Sequence, residues 1–143
     1  MNRSEIRGTL DEESVRLSKA LGQNLLHDQN VLRRIAQAAD LQPDDQALEI
    51  GPGLGGLTEH LLASVRELTA IEKDKRLHAH LRDRFANEPK LRLIHADALR
   101  YFTNRDVDWT DWKLVSNLPY NVASPLLVDL AAMPHGPRRL VIN

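Results

Sequence analysis

The chain has 143 residues, which is enough for one domain. It has no cysteine, which excludes a disulfide framework and a thiolate metal site, and its 42% apolar content is ordinary for a globular core. A net charge of −1 excludes a chain-wide attraction for nucleic acid, although Arg3, Arg7, Arg16, Lys19, Arg33, Arg34, Arg138 and Arg139 allow a local basic rim.

The six histidines are scattered, with no HExxH and no carboxylates at metal-ligand spacing, so no metal is expected. No apolar run is long enough to span a bilayer, and the first residues lack a signal-peptide core. A soluble cytoplasmic protein is the expectation.

In chain order, residues 1–18 read as a polar N-terminal extension and 19–143 as the folded unit. Residues 19–26 form a glycine-containing loop with two amides, Gln23 and Asn24. Asp28 caps a helix reaching Ala39, with Val31, Leu32, Ile35, Ala38 and Ala39 on its apolar face. After Pro43 comes a short strand, 47–50. The glycines Gly51, Gly53, Gly55 and Gly56 follow as a tight loop, and a helix begins at Leu57. A second strand, 68–71, presents Glu72 at its end. Asp74 then opens a helix with Leu77, Leu81 and Phe85 on one face, stopped by Asn87 and Pro89.

Residues 91–95 form a third strand, leading to Ala96-Asp97-Ala98, and a polar loop occupies 103–110. A fourth strand, 113–116, ends in Asn117-Leu118-Pro119-Tyr120. Ser124-Pro125 reads as the next helix start, with Leu126, Leu127 and Leu130 buried. Pro134 and Pro137 bracket a break before a fifth strand, 138–142. Strands alternating with helices imply right-handed crossovers: an α/β Rossmann-like fold with a mostly parallel sheet and helices on both faces.

In such sheets ligands bind beyond the C-terminal strand ends. There the chain offers the glycine loop, Glu72, Asp97 and the 117–120 corner. Glycine loops bring backbone N–H groups and a helix N-terminus to a ligand. Gly51, Gly53 and Gly56 satisfy the dinucleotide fingerprint, and Glu72 follows at the spacing of a ribose-binding acid, so a nicotinamide oxidoreductase must be weighed. The alternative for Glu72 is a solvated strand-end carboxylate.

Two features favour S-adenosylmethionine. Glu49 makes the loop Glu-x-Gly-x-Gly-x-Gly, and its carboxylate could organise loop amides or lie near the cofactor's positive amino-acid end. Asp97 can accept from an adenine amino group, or can merely cap the turn after the strand.

The fourth corner bears on the chemistry. The exocyclic amine of a base is a poor nucleophile, because its lone pair is delocalised into the ring. Acceptors gripping its N–H bonds, here the Asn117 side-chain oxygen and the Leu118 carbonyl, draw that pair toward a methyl donor. Pro119 rigidifies the turn and Tyr120 can stack on an extruded base. The plain alternative is a capped turn with a packed tyrosine.

These stretches together resemble the small-subunit ribosomal RNA adenine N6-dimethyltransferase family (KsgA/RsmA type), relatives of the erythromycin-resistance rRNA methylases. The resemblance lies in Leu-Gly-Gln-Asn-Leu-Leu at 21–26, Glu-Ile-Gly-Pro-Gly-Leu-Gly-Gly-Leu-Thr at 49–58, Ile-Glu-Lys-Asp at 71–74, Ala-Asp-Ala at 96–98 and Asn-Leu-Pro-Tyr-Asn at 117–121. It implies S-adenosylmethionine as donor and dimethylation of N6 on two adjacent adenosines near the 3′ end of small-subunit rRNA. The partner it implies is a pre-30S-type particle, bound by a monomer without membrane or metal.

By the same resemblance, Asn24, Leu26, Glu49, Gly51, Gly53, Gly55, Glu72, Asp97 and Asn117 hold the donor, with Glu72 on the ribose and Asp97 on the adenine. Asn117, Leu118, Pro119 and Tyr120 make the catalytic corner. Leu25 departs from the family's usual phenylalanine. The family pattern also continues past Asn143 with further strands and a small helical domain that helps hold RNA, so a catalytic core without them is expected. A methyltransferase-fold RNA-binding or assembly factor without turnover is the second reading, and a DNA adenine methyltransferase a minor variant.

Overall fold

The computed structural model describes residues 28–103, 107–118 and 120–142, with Tyr120 described by its backbone alone. The expected N-terminal extension, the 19–26 loop with Asn24, Leu25 and Leu26, Pro119 and the Tyr120 ring lie outside the described residues.

The chain runs α1 (Gln29–Ala38), β1 (Gln46–Ile50), α2 (Gly56–Leu62), β2 (Glu67–Glu72), α3 (Lys75–Arg84), β3 (Leu91–His95), α4 (Ala98–Thr103), β4 (Trp112–Ser116), α5 (Tyr120–Ala132) and β5 (Arg139–Ile142). Local chemistry starts two of the helices. The Asp28 carboxylate accepts from the amides of Asn30 and Val31, and that of Asp74 from Arg76 and Leu77. Each satisfies amides that a helix leaves unpaired at its first turn.

The five strands form one parallel sheet in the order β3-β2-β1-β4-β5. The chain builds outward from β1 to β3 on one side, then returns to lay β4 on the other side of β1. The switch point therefore falls between β1 and β4, where open parallel sheets hold their ligands. Strand residues alternate between two cores, as a period of two dictates. Leu48, Ile50, Ile71 and Leu114 face Tyr101 and Phe102 of α4, Trp109, and Ala123, Leu126 and Leu130 of α5. Ala47, Leu68 and Val115 face Leu32 and Ile35 of α1 and Leu57 and Leu61 of α2.

At the N-terminal end of the sheet, buried Asp45 accepts from Lys113 Nζ at 2.7 Å, Arg138 at 2.8 Å and the Gln42 amide at 2.8 Å. Burial alone would raise the Asp45 carboxyl. The bonds from Lys113 and Gln42, with the charges of Lys113 and Arg138, outweigh it and hold the group below the usual carboxylate range. This staple pins the starts of β4 and β5 to the loop before β1.

One element carried no expectation in the sequence, and two expectations change. Residues 98–103 are helical, and they carry Tyr101 and Phe102 into the core. The last helix begins at Tyr120, not at Ser124, with Pro125 inside it. So near the helix start the proline withholds a single bond, to the Asn121 carbonyl, and packing of Ala123, Leu126 and Leu130 carries the helix through. Leu127 and Ala38, expected to be buried, are exposed; Ala123 takes the inward position on α5.

Candidate active site

The loop after β1 turns through three glycines with positive φ, Gly51, Gly53 and Gly55. Their surroundings differ. A Cβ on Gly51 would come within 2.8 Å of Leu118 Cδ2, so the β4 corner packs directly on the start of the loop. A Cβ on Gly55 would come within 2.7 Å of Phe85 at the end of α3. At Gly53 an added Cβ would meet none of the described residues within 4 Å. Gly51 and Gly55 thus serve close approach inside the protein, whereas Gly53 turns away from the described residues.

Glu72, the last residue of β2, is 1% exposed. Its Oε1 accepts from the Gly53 amide at 3.1 Å and its Oε2 from the Asp74 amide at 2.9 Å. The solvated strand-end alternative is thereby set aside. Burial raises the Glu72 carboxyl above its ordinary value, opposed by those two amide bonds.

Glu49 is equally buried, and its Oε2 accepts from the Thr58 hydroxyl of α2 at 2.7 Å. Burial pushes its carboxyl up to about 8, against the Thr58 bond and with help from the Glu72 charge. The bond ties β1 to α2 beneath the loop.

Asp97 caps α4: its Oδ1 accepts from the Arg100 amide at 3.2 Å. Its Oδ2 lies 3.4 Å from Lys73 Nζ at the exposed rim. The Arg100 bond, against burial and with the Lys73 contact, holds the carboxyl below its ordinary value. The capping role foreseen for Asp97 is present, and it engages only one of the two oxygens.

Across the switch point, pairing of β1 with β4 runs from Gln46 and Trp112 to Leu48 and Leu114. Beyond it, the Ile50 amide donates to Ser116 Oγ at 2.7 Å. A side chain thus replaces a ladder bond where the two strand tips part. Half-buried Asn117 and buried Leu118 follow directly, so the β4 corner stands beside the glycine loop. Among the described residues no group of three or more histidine, aspartate or glutamate side chains could hold a metal.

The family model described as ribosomal RNA adenine dimethylase matches residues 15–142. The chain belongs to that family. It is 43% identical over 124 residues to "Ribosomal RNA small subunit methyltransferase A" of Geobacter metallireducens, covering 80% of this chain and 43% of that protein. The protein of the same name from Corynebacterium diphtheriae is 42% identical, over 96% of this chain and 48% of the relative.

Among solved structures, the 23S rRNA methyltransferase ErmE superposes with a TM-score of 0.68 at 32% identity, over 78% of this chain and 44% of that one. A dimethyladenosine transferase from Plasmodium falciparum gives 0.65 at 28% identity, over 79% and 40%. The chain therefore spans less than half the length of these curated relatives. Membership of the adenine dimethylase family removes the ground for the nicotinamide reading.

Of the residues singled out in sequence, the fold brings Gly51 against Leu118, which follows Asn117, and Gly53 against Glu72, while Gly55 packs on Phe85 and Asp97 lies beyond β3 beside Lys73. Glu49 lies beneath the glycine loop, its carboxyl turned to Thr58. Sequence reasoning missed three contributors: Ser116, Thr58 and Arg84, whose Nη1 donates to the Leu54 carbonyl at 2.6 Å. Ser116 could have been suspected as a polar residue closing an apolar strand. Nothing local marks the other two.

Proposed function

We propose that this chain carries the S-adenosylmethionine site and methyl-transfer corner of an enzyme that dimethylates N6 of two adjacent adenosines near the 3′ end of small-subunit rRNA. The observation that carries the reading is the juxtaposition at the β1/β4 switch point. A glycine loop tied at Gly53 to Glu72 stands with Gly51 against the Asn117-Leu118 corner. The names of the two relatives, ribosomal RNA small subunit methyltransferase A, agree with it.

The fit to the donor rests on Gly53, the loop glycine where a side chain would meet none of the described residues within 4 Å. In this reading Gly51, Gly53 and Gly55 lie beneath the methionine part, with Asn24 and Leu26 beside it and Glu49 supporting the loop from below through α2. Glu72 takes the ribose hydroxyls and Asp97 the adenine amino group through the oxygen not used for capping. The donor supplies an electrophilic methyl group on a sulfonium.

The remaining work falls to the β4 corner. The Asn117 side-chain oxygen and the Leu118 carbonyl accept from the two N–H bonds of N6, which turns the nitrogen lone pair out of conjugation. Pro119 keeps the corner rigid and Tyr120 stacks on the base. No strong base is needed, because the amine becomes acidic once methylated. The substrate is the rRNA of a pre-30S-type particle, met in the cytoplasm by a monomer that uses no metal.

The test is transfer of labelled methyl groups to unmethylated small subunits, by this chain and by a version extended to the length of the relatives. Asn117→Ala abolishes transfer and leaves donor affinity within about threefold, because it removes an acceptor for the base. Donor binding without transfer by the extended wild type would overturn the enzymatic reading. A wild type that binds no donor in calorimetry would overturn the site.

A further inference from the structure

We propose that Arg84, at the end of α3, is the positioning residue of the glycine loop and thereby sets donor affinity. The loop is anchored from two sides. On the inner side, the Gly53 amide is held by Glu72 of β2. On the outer side, Arg84 Nη1 donates to the Leu54 carbonyl at 2.6 Å, and the neighbouring His80 also hydrogen-bonds to the Leu54 backbone.

The guanidinium is itself held in place. Its Nη2 pairs with Glu59 Oε2 of α2 at 3.1 Å, its carbon stands 4.9 Å from the Phe85 ring centre, and the side chain is only 21% exposed. A fork fixed at both prongs loses little freedom per bond made.

The bond falls where the loop most needs it. The Leu54 carbonyl belongs to the peptide unit leading into Gly55, whose φ is +91°. A peptide unit joined to glycine can rotate cheaply, and that rotation would swing the Gly55 amide away from the Pro52 carbonyl, to which it donates at 3.0 Å. Pinning the carbonyl outward therefore keeps the turn at neighbouring Gly53 in place. Leu81 and Phe85, packed against Gly55, close the same side. A preformed loop spares the ligand the cost of ordering it.

The affinity consequence rests on the reading of this loop as the donor cradle; the ordering of the loop does not. Amide hydrogen exchange of the unliganded 143-residue chain, with donor calorimetry beside it, tests both. Arg84→Met keeps the apolar stem over Phe85 and removes both donors. Exchange at residues 53–57 accelerates by about tenfold or more, while amides of β1 and β2 keep their protection. Donor affinity falls by a similar factor. Arg84→Lys, which can still reach one acceptor, recovers part of both. Glu59→Gln weakens the charge pair, leaves the Leu54 bond and moves neither by more than about twofold.

Unchanged loop exchange in Arg84→Met would overturn the proposal, as would equal acceleration throughout the sheet, which marks a purely structural role. If wild type binds no donor, the donor reading fails, and loop exchange alone still decides whether Arg84 orders the loop.

Discussion

Replacing Glu49 by glutamine exposes the energetic cost of a buried acid under the site. In the folded chain burial moves this carboxyl from 4.5 to about 8. In the unfolded chain it titrates near its ordinary value. Below about pH 4.5 both states carry the proton and Glu49 contributes no pH dependence. Between there and about pH 8 the unfolded chain has lost the proton and the folded chain keeps it, so wild-type stability falls by about 1.4 kcal/mol per pH unit from this group. The accumulated loss near pH 8 is about 4–5 kcal/mol, and it levels off above.

Glutamine keeps an oxygen for the Thr58 hydroxyl and cannot ionise. The variant therefore matches wild type near pH 5 and exceeds it increasingly as pH rises. Urea unfolding of both chains from pH 5 to 9 measures this, and the midpoints separate by about 2 M at the alkaline end. Taking the difference cancels the titration of every other group that the substitution leaves alone. Parallel curves over this range would show that Glu49 ionises normally in the fold and would refute the reasoning.

Three further outcomes follow. Gly53→Val places a β-branched side chain at φ +62° where none of the described residues blocks it; it costs about 1–2 kcal/mol of stability by urea titration, yet eliminates donor binding in calorimetry, and retained binding would show that the cradle lies elsewhere. Asp45→Ala leaves Lys113, 9% exposed, without its carboxylate; the loss is about 3–5 kcal/mol in urea unfolding at pH 7. Because the Asp45 carboxyl is held low, wild type keeps that stabilisation at neutral pH and loses it as pH falls below the ordinary carboxylate range. Phe102→Ala removes a fully buried ring packed edge-on against Tyr101 and Trp109; a loss of about 3–5 kcal/mol by the same measurement is expected, and a change under about 1 kcal/mol would show that α4 is not part of the core.

Much of the architecture was legible because its causes are local. Asp28 and Asp74 cap helices through amides two and three residues away, so residue type and spacing suffice to place those starts. The third strand appeared at its observed bounds because a short apolar run was closed by Pro89 on one side and Asp97 on the other. The 98–103 helix escaped notice because it is too short to show a period; its aromatic pair had no visible destination until β1 and β4 supplied a face. The proline signal at Ser124-Pro125 misled because a proline near a helix start is tolerated whether it opens the helix or follows a turn already formed.

The amino-acid sequence by itself determined the alternation of strands and helices, the glycine loop, the acid after β2 and the Asn-Leu-Pro-Tyr corner, and through them the family. Only the tertiary structure decided what the polar residues do. Ser116 meets Ile50 across 66 positions, Arg84 meets Leu54 across 30, and Arg138 meets Asp45 across 93. The structure also decided that Glu49 is a raised acid beneath α2 while Asp45, another buried carboxylate, is held ionised by two cations. A side chain's charge state and partner depend on the solvent it loses and the groups that packing brings to it, and sequence spacing encodes neither.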